Sequence, residues 1–285
     1  MMTKTRFDVI PKTKHIGAEI RGLDLRQKPD EPTIKAIYQA WLDHLVIVFP
    51  GQNLSQEDLL RVTGFFGEQG VMRRPAKFFP KGYSKILPGI MLISNIRENG
   101  EPIGALPDGE MMFHHDMIHS EMPDKATLLY SIEIPSNGGN TLFASGYAAY
   151  DTLDPVIRNK LEGRKAKHHY NYGSTQRGDN RGTAAFSECT HPVFRTHEDT
   201  GKKAVYVNRL MTVGVEGMPD EESAPLLEKV FDHAEKREFV YEHVWRVGDL
   251  LLWDNRCSSH ARTDFPTTER RLMLRTTVKG TVRPY

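Results

Sequence analysis

Short runs of β-forming residues separated by turn residues fill the middle and the last third of this chain, and they constrain its fold most. In the middle they cover 90–93, 126–134, 167–172 and 204–207, and in the last third 239–245, 249–253 and 271–278. Several short strands at such spacing predict a β-sandwich or a barrel. The sequence contains no internal repeat and no low-complexity segment that would favour a solenoid or a linker.

Four segments carry apolar residues at helical spacing, and they cover 32–45, 55–67, 148–161 and 220–234. Ser55 followed by Asp58 is typical of an N-cap with an acidic first turn. Residues 46–49, directly after the first helix, are apolar and predict a buried strand. The predicted fold class is therefore mostly β with flanking helices.

The composition favours one domain and a small partner. A chain of 285 residues can bury a large core, and since no Pro/Gly/Ser tract divides it, we predict a single domain over 1–285. A net charge of +1, with no concentrated block of Lys and Arg, argues against nucleic-acid and membrane surfaces. The expected partner is a small molecule, and a homo-oligomer stays open.

The two cysteines, Cys189 and Cys257, are too few for a disulfide framework. Residues 1–14 lack the apolar core of a signal peptide, and no apolar run is long enough to span a membrane. These features predict a reducing, cytoplasmic location.

His114, Asp116 and, about 140 residues later, His260 predict a metal site. Two residues of a strand that are two apart project to the same face, so His114 and Asp116 can reach one ion while His115 points away. Two histidines and one carboxylate are the ligands of a non-haem Fe(II) facial triad, which leaves positions open. A zinc site or a plain surface cluster at His114, His115 and His119 is the alternative.

Two polar or Pro/Gly-rich stretches, 70–87 and 171–187, are longer than simple connections. Such long loops are typical of lids over a reactive site. We therefore predict that they form a lid.

Motifs along nearly the whole chain resemble those of the taurine dioxygenase-like family, which includes phenoxyalkanoate herbicide dioxygenases. The first half contributes the pattern Gly17-Ala18-Glu19-Ile20-x-Gly22-x-Asp24-Leu25, the His114-x-Asp116 triplet and Pro135-Ser136-Asn137-Gly138-Gly139-Asn140-Thr141. The second half contributes His191-Pro192-Val193, Tyr206-Val207-Asn208 and the run Trp253-Asp254-Asn255-Arg256 leading to His260.

The resemblance implies a double-stranded β-helix, or jelly roll, of the cupin-like type, with Fe(II) as the metal and 2-oxoglutarate as cosubstrate. Carried over residue by residue, His114, Asp116 and His260 match the iron ligands. The implied reaction uses O2, converts 2-oxoglutarate to succinate and CO2, and hydroxylates a C–H bond of a small organic acid.

Three residues match the cosubstrate positions of the family. Thr141 corresponds to a hydroxyl that binds a carboxylate of 2-oxoglutarate, Arg271 to the partner of the distal carboxylate, and Arg275 to an arginine near the C1 carboxylate and the substrate. Arg271 and Arg275 are four residues apart, so both can face the same side of one strand. Arginine is also the residue best suited to a dicarboxylate.

The predicted substrate residues are Arg74, Glu110, Met112, Tyr206 and Arg209. Glu110 stands where taurine enzymes carry an asparagine, which argues against taurine. Arginines would bind an anionic head group, and methionines and aromatic residues would form an apolar wall that also includes Met111, Phe78, Phe79 and Tyr83. An aryloxyalkanoate, a sulfonate or a related carboxylate is the expected substrate class.

One different class of protein stays open, a jelly-roll metal-binding protein or isomerase without oxygen chemistry. Nucleotide-binding enzymes and serine hydrolases are disfavoured because the sequence has neither a Walker loop nor a Gly-x-Ser-x-Gly elbow.

Overall fold

The structure, a computed structural model, describes residues 7–70, 86–106, 109–171, 173–177 and 186–285. Its first strands are β1 (Asp8–Pro11), β2 (Ala18–Arg21), β3 (Val46–Phe49), β4 (Met91–Ser94), β5 (Arg97–Glu98), β6 (Glu101–Pro102), β7 (Met111–His114), β8 (Ala126–Glu133) and β9 (Thr141–Ser145). They continue as β10 (Lys165–Asn171), β11 (Phe186–Pro192), β12 (Phe194–Thr196), β13 (Lys203–Val205), β14 (Thr212–Val215), β15 (Val240–His243), β16 (Leu250–Asp254), β17 (Ser258–Arg262) and β18 (Leu272–Val278). The helices are α1 (Glu31–His44), α2 (Gln56–Thr63), α3 (Gly146–Thr152), α4 (Pro155–Leu161) and α5 (Asp220–Ala234).

Helix starts follow the local sequence. Ser55 and Asp58 form a capping box at α2, in which each side chain accepts from the other residue's backbone N–H. The helix predicted over 148–161 is wrong as one element, because the chain breaks between α3 and α4. Asp154 caps α4 and Pro155 opens it, since proline lacks the N–H that a continuous helix would need.

Two sheets pack face to face and form the double-stranded β-helix, which confirms the predicted fold class. The larger sheet has the order β1-β2-β3-β16-β8-β18-β4, and the smaller sheet has the order β15-β9-β17-β7. Between them lies an apolar layer in which Leu251, Trp253 and Met273 of the larger sheet meet Phe143 and Tyr241 of the smaller sheet. Leu129 and Trp253 of this layer also line the cavity described below.

The other face of the larger sheet is covered by α1 and α2. Leu250 and Leu252 alternate with Leu251 along β16 and pack against Trp41 of α1 and Leu59 of α2. Because successive residues of a strand face opposite sides, β16 is buried on both faces and reads as a continuous apolar run. This explains why its sequence shows no alternation.

A smaller unit of structure flanks the β-helix. The sheet β11-β10-β14 and the hairpin of β12 and β13 pack with α3, α4 and α5 around an apolar cluster that includes Leu161, Val205, Leu227 and Phe231. Within the described residues, no helix is both long and apolar enough to cross a bilayer.

Most of the predicted lid lies outside the described residues, which omit 71–85, 172 and 178–185. The described edges of both stretches, at Gly70 and Gly173, line the cavity described below. The lid therefore stays a prediction.

Candidate active site

His114 and His260 are brought together by strand pairing. They are Cα partners in the antiparallel pair of β7 and β17, and their ring centroids are 4.1 Å apart. The Nδ1 of His114 lies 2.9 Å from the carbonyl oxygen of Met112. An Nδ1–H donated there leaves Nε2 of His114 as the nitrogen available to a metal.

Asp116 does not lie on a strand, so the predicted reason for its position is wrong although its proximity to the histidines is correct. Strand β7 ends at His114, and Asp116 stands in the turn that follows, before Met117 at a φ of 58°. Its Oδ1 lies 4.0 Å from Nε2 of His260. One donor atom from each of the three residues lies within 4.8 Å of the others.

Electrostatics keep these three side chains in the protonation states that bind metals. Burial lowers the pKa of His114 and, by more, that of His260, so both rings are neutral at neutral pH. Burial opposes ionisation of Asp116, but the guanidinium of Arg275, with the hydrogen bond from Thr127, holds the pKa of its carboxyl below its usual value. Two neutral imidazoles and a carboxylate beside a cavity fit an Fe(II) facial triad.

The triad opens into a cavity of about 510 Å³ between the two sheets. Its wall is mainly apolar and includes Met91, Ile93, Leu106, Met111, Met117, Leu210 and Met211. Besides the triad, the polar residues that line the cavity include Thr141, Arg262, Arg271 and Arg275 together with His119, Asp124 and Tyr170. A mostly apolar cavity with a few convergent charges is typical of a site for a small amphipathic anion.

Arg271 is a buried cation, 2% exposed, directly before the first residue of β18. None of the described carboxylates pairs with its side chain, and no described residue accepts a hydrogen bond from its Nε. Burial, with a smaller contribution from Arg262, lowers its pKa to about 9, so it remains charged at neutral pH. A buried charge without a partner is costly, which indicates that the cavity accepts an anion here.

The other two predicted cosubstrate residues also line the cavity. Thr141 begins β9, and its hydroxyl accepts a hydrogen bond of 3.0 Å from the indole N–H of Trp245. The sequence does not single out Trp245 as the partner of Thr141, because this contact arises only when β15 pairs with β9. Arg275 faces the triad, and its guanidinium lies 2.8 Å from Oδ2 of Asp116.

Glu110 and Met112 do not line the cavity that the described residues form, so their assignment to substrate binding stays a prediction. Glu110 is exposed. The pair β7–β17 shifts register, since His260 faces His114 but Arg262 faces Met111. This β-bulge adds one residue on β7, so Met111 rather than Met112 shares the face of His114. Met112 packs beside the buried cluster of Ile118, Tyr206, Leu210 and Met211.

Tyr206 and Arg209 do not reach the cavity either. Tyr206 is fully buried, with its ring 4.8 Å from that of His115 and under the guanidinium of Arg195. Arg209 turns away and binds three carboxylates of α5 or its end, from Glu228, Asp232 and Glu235. Arg74 and the aromatic residues Phe78, Phe79 and Tyr83 lie outside the described residues.

A second group of potential metal ligands lies nearby, formed by His197, Asp254 and Cys257. Arg256 occupies it, since its guanidinium donates to both carboxylate oxygens of Asp254 at 2.8 and 2.7 Å. Burial raises the pKa of Cys257 well above its usual value, so the thiol is protonated. This group therefore lacks a free anionic ligand.

The family described as "Taurine catabolism dioxygenase TauD, TfdA family" matches residues 8–277. The chain is 28% identical to the (S)-phenoxypropionate/alpha-ketoglutarate-dioxygenase of Sphingobium herbicidovorans, over 96% of this chain and 95% of the relative. It is 31% identical to the alpha-ketoglutarate-dependent 2,4-dichlorophenoxyacetate dioxygenase of Cupriavidus pinatubonensis, over 92% of this chain and 93% of the relative.

Solved structures agree with this similarity. A putative alpha-ketoglutarate-dependent taurine dioxygenase from Burkholderia xenovorans matches with a TM-score of 0.81 and 28% identity, over 98% of this chain and 94% of that chain. AAD-2 in complex with Mn(II) and N-oxalylglycine matches with a TM-score of 0.79 and 26% identity, over 98% of this chain and 99% of that one. The chain belongs to the TauD/TfdA family and is a 2-oxoglutarate-dependent dioxygenase, which confirms the resemblance and argues against the isomerase alternative.

Proposed function

We propose that this protein is an Fe(II)- and 2-oxoglutarate-dependent dioxygenase that hydroxylates a small organic acid with an aryl or alkyl body, releasing succinate and CO2. The observation that carries the proposal is the His114, Asp116 and His260 cluster, which opens onto the same cavity as Arg271, a buried cation with which no described carboxylate pairs. An oxygenase of this kind needs a metal site with free positions and a receptor for a dicarboxylate in one enclosure.

His114, Asp116 and His260 would hold the iron. Bound there with 2-oxoglutarate and O2, Fe(II) supplies the oxidative decarboxylation that drives hydroxylation of a substrate C–H bond. The protein's own task is positioning, because the apolar wall of Met111, Met117 and neighbouring residues excludes water and holds the target carbon near the metal position.

Arg271 would bind the distal carboxylate of 2-oxoglutarate through two parallel N–H···O contacts, with Thr141 as a further donor. The hydroxyl of Thr141 already accepts from Trp245, so its own hydrogen is free to point into the cavity. Arg275 would lie at the C1 carboxylate. The related AAD-2 structure contains N-oxalylglycine, which like 2-oxoglutarate carries two carboxylates, and this supports the assignment.

The cavity supports an anionic substrate with an apolar body, such as an aryloxyalkanoate, a sulfonate or a related carboxylate. Methionine, leucine and isoleucine side chains form much of the wall, and Arg262 and Arg275 add positive charge. Two relatives are named for phenoxypropionate and 2,4-dichlorophenoxyacetate, and another, from Pseudomonas putida, is a sulfate ester dioxygenase. Hydroxylation of a carbon that bears an aryloxy group gives a hemiacetal, which collapses to a carbonyl and releases the phenol.

A cytoplasmic location is part of the proposal. Both cysteines are buried free thiols, and this is compatible with a reducing compartment.

Anaerobic titration of the apoprotein with Fe(II) and then 2-oxoglutarate tests the proposed cofactors. The expected result is one Fe(II) per chain and a weak visible metal-to-ligand absorption that appears only when both are present. Its absence, in protein shown to be folded, rejects the proposal. Screening aryloxyalkanoates, sulfonates and other small carboxylates for succinate release then identifies the substrate class.

A further inference from the structure

A directed chain of hydrogen bonds ends at the carboxylate of Asp116. The indole N–H of Trp253 donates to Oδ1 of Asn255 at 2.9 Å, and the amide N–H of Asn255 donates to the hydroxyl of Thr127 at 2.9 Å. That hydroxyl donates to Oδ2 of Asp116 at 2.7 Å. Trp253, Asn255 and Thr127 are all at most 2% exposed.

The direction of this chain is fixed by chemistry. An indole nitrogen can only donate, so the oxygen of the Asn255 amide must face Trp253 and its NH2 group must face Thr127. Because the hydroxyl of Thr127 accepts from Asn255, its single hydrogen is left to donate to Asp116. Buried networks in which every member is satisfied hold their side chains rigidly.

This series of hydrogen bonds determines which oxygen of Asp116 is available to bind a metal. Oδ2 is occupied by the hydroxyl of Thr127 and by the guanidinium of Arg275, whereas Oδ1 faces His260. Under the proposed function, Arg275 also lies at the C1 carboxylate of 2-oxoglutarate. Thr127 is then the partner of Oδ2 that stays in place whatever occupies the cavity.

The same series of hydrogen bonds joins two distant parts of the sequence at the site. Trp253, its first donor, also contacts His260, with 4.8 Å between the ring centroids. The backbone N–H of Asn255 donates to the carbonyl oxygen of Lys125, two residues before Thr127. The turn after β16 is therefore fixed to the start of β8.

We propose that Thr127 and Asn255 are positioning residues that hold Asp116 as a one-oxygen metal ligand, with Oδ1 toward the metal and Oδ2 held back. A carboxylate free to rotate would present both oxygens and occupy a position that 2-oxoglutarate or O2 requires. This inference rests on the proposed iron site at His114, Asp116 and His260.

Co(II) titration of the apoprotein, without 2-oxoglutarate, tests the inference by a readout that does not depend on turnover. Thr127→Val keeps the shape of the side chain but removes the hydroxyl. We expect its Kd for Co(II) to rise 10- to 100-fold, the usual loss when a hydrogen-bond partner of a metal ligand is removed. The visible d–d spectrum of the bound Co(II) should also change. Thr127→Ser keeps a hydroxyl at this position and should therefore show the wild-type Kd for Co(II) and the wild-type d–d spectrum.

Thr63→Val is the matched control. Thr63 is also fully buried, and its hydroxyl bonds the carbonyl of Leu59 at 2.8 Å and the hydroxyl of Thr276 at 2.7 Å. Like Thr127→Val, the Thr63→Val substitution removes one buried hydroxyl, but it does so on the helix-covered side of the larger sheet. Unfolding midpoints of the apoproteins show whether the two substitutions destabilise the fold to a similar extent.

The outcomes separate the inference from the proposed function. A Kd for Thr127→Val at least tenfold above that of Thr63→Val supports the inference, and a smaller difference overturns it. Thr127→Ala, which also lacks the hydroxyl, is judged by the same threshold if the valine variant does not fold. If wild-type protein binds Co(II) no more tightly than Asp116→Ala, the iron site and the proposed function fail instead.

Discussion

The described part of the chain contains two clusters of potential metal ligands, and one of the two is open. His114, Asp116 and His260 border the cavity, whereas His197, Asp254 and Cys257 are all buried and closed by a guanidinium. In both clusters the donor atoms lie within 4.8 Å of one another.

The difference lies in what surrounds the carboxylate. Among the described residues, no cation hydrogen-bonds Oδ1 of Asp116, whereas both oxygens of Asp254 accept from Arg256 and one of them also lies 3.0 Å from Nε2 of His197. Ligand identity and proximity therefore do not make a metal site. The carboxylate must also have an oxygen that no other group has taken.

The largest effect should come from the open cluster. His114→Ala, Asp116→Ala or His260→Ala each removes one of three ligands, so iron binding and activity should both be lost. His115→Ala, whose ring packs on Tyr206 away from the cavity, should keep iron binding but lose some stability. Iron stoichiometry and succinate release measure these effects, and normal iron binding by Asp116→Ala would disprove the triad.

Opening the closed cluster should damage the fold rather than the chemistry. Arg256→Met leaves the carboxylate of Asp254 buried without its cation, which should lower the free energy of unfolding by about 3 to 5 kcal/mol. Arg270→Met is the control, because the Arg270 pair with Glu133 is exposed and screened by solvent, so its loss should change the free energy of unfolding far less. Denaturant unfolding that gives equal losses would contradict the comparison.

Arg271 tests whether the open cavity accepts an anion at the expected place. Arg271→Lys replaces a two-point contact by a single ammonium, so the KM for 2-oxoglutarate should rise at least tenfold. Arg270→Lys, one residue earlier and exposed, should leave this KM unchanged. If Arg271→Ala shows unaltered cosubstrate affinity, Arg271 does not belong to the cosubstrate site.

The smallest effect should come from Arg209, whose charge is taken up by α5. Arg209→Gln should leave kcat/KM unchanged and cost about 1 kcal/mol of stability, since its carboxylate partners are partly exposed. Steady-state kinetics with an accepted substrate decide this. A tenfold lower kcat/KM would return Arg209 to substrate binding.

The sequence predicted the fold class because its strands and helices are set by local signals. The cap at Ser55 and the apolar strand after α1 both lie where the pattern placed them. The break between α3 and α4 was signalled by Asp154-Pro155, a proline position that favours the first turn of a helix.

The sequence predicted that the three residues of the triad lie together, but it did not predict most of the residues that line the apolar wall of the cavity. Met112 was predicted as a substrate residue, but a bulge that only pairing with β17 creates places Met111 on the face of His114 instead. Arg209 was assigned by its neighbours at 206–208, while its carboxylate partners lie about 20 residues later on α5. Tertiary partners of this kind leave no local pattern to read.

The pairing of β7 with β17 also orders events during folding. It joins segments more than 140 residues apart, so closing this contact costs chain entropy that nearby contacts do not. The triad is complete only after the late strands have joined the early ones, and the unfolded chain has no equivalent site. Under the proposed function, metal binding would therefore report completed folding, and it would add a stabilisation free energy to the native state that rises with the logarithm of the free metal concentration.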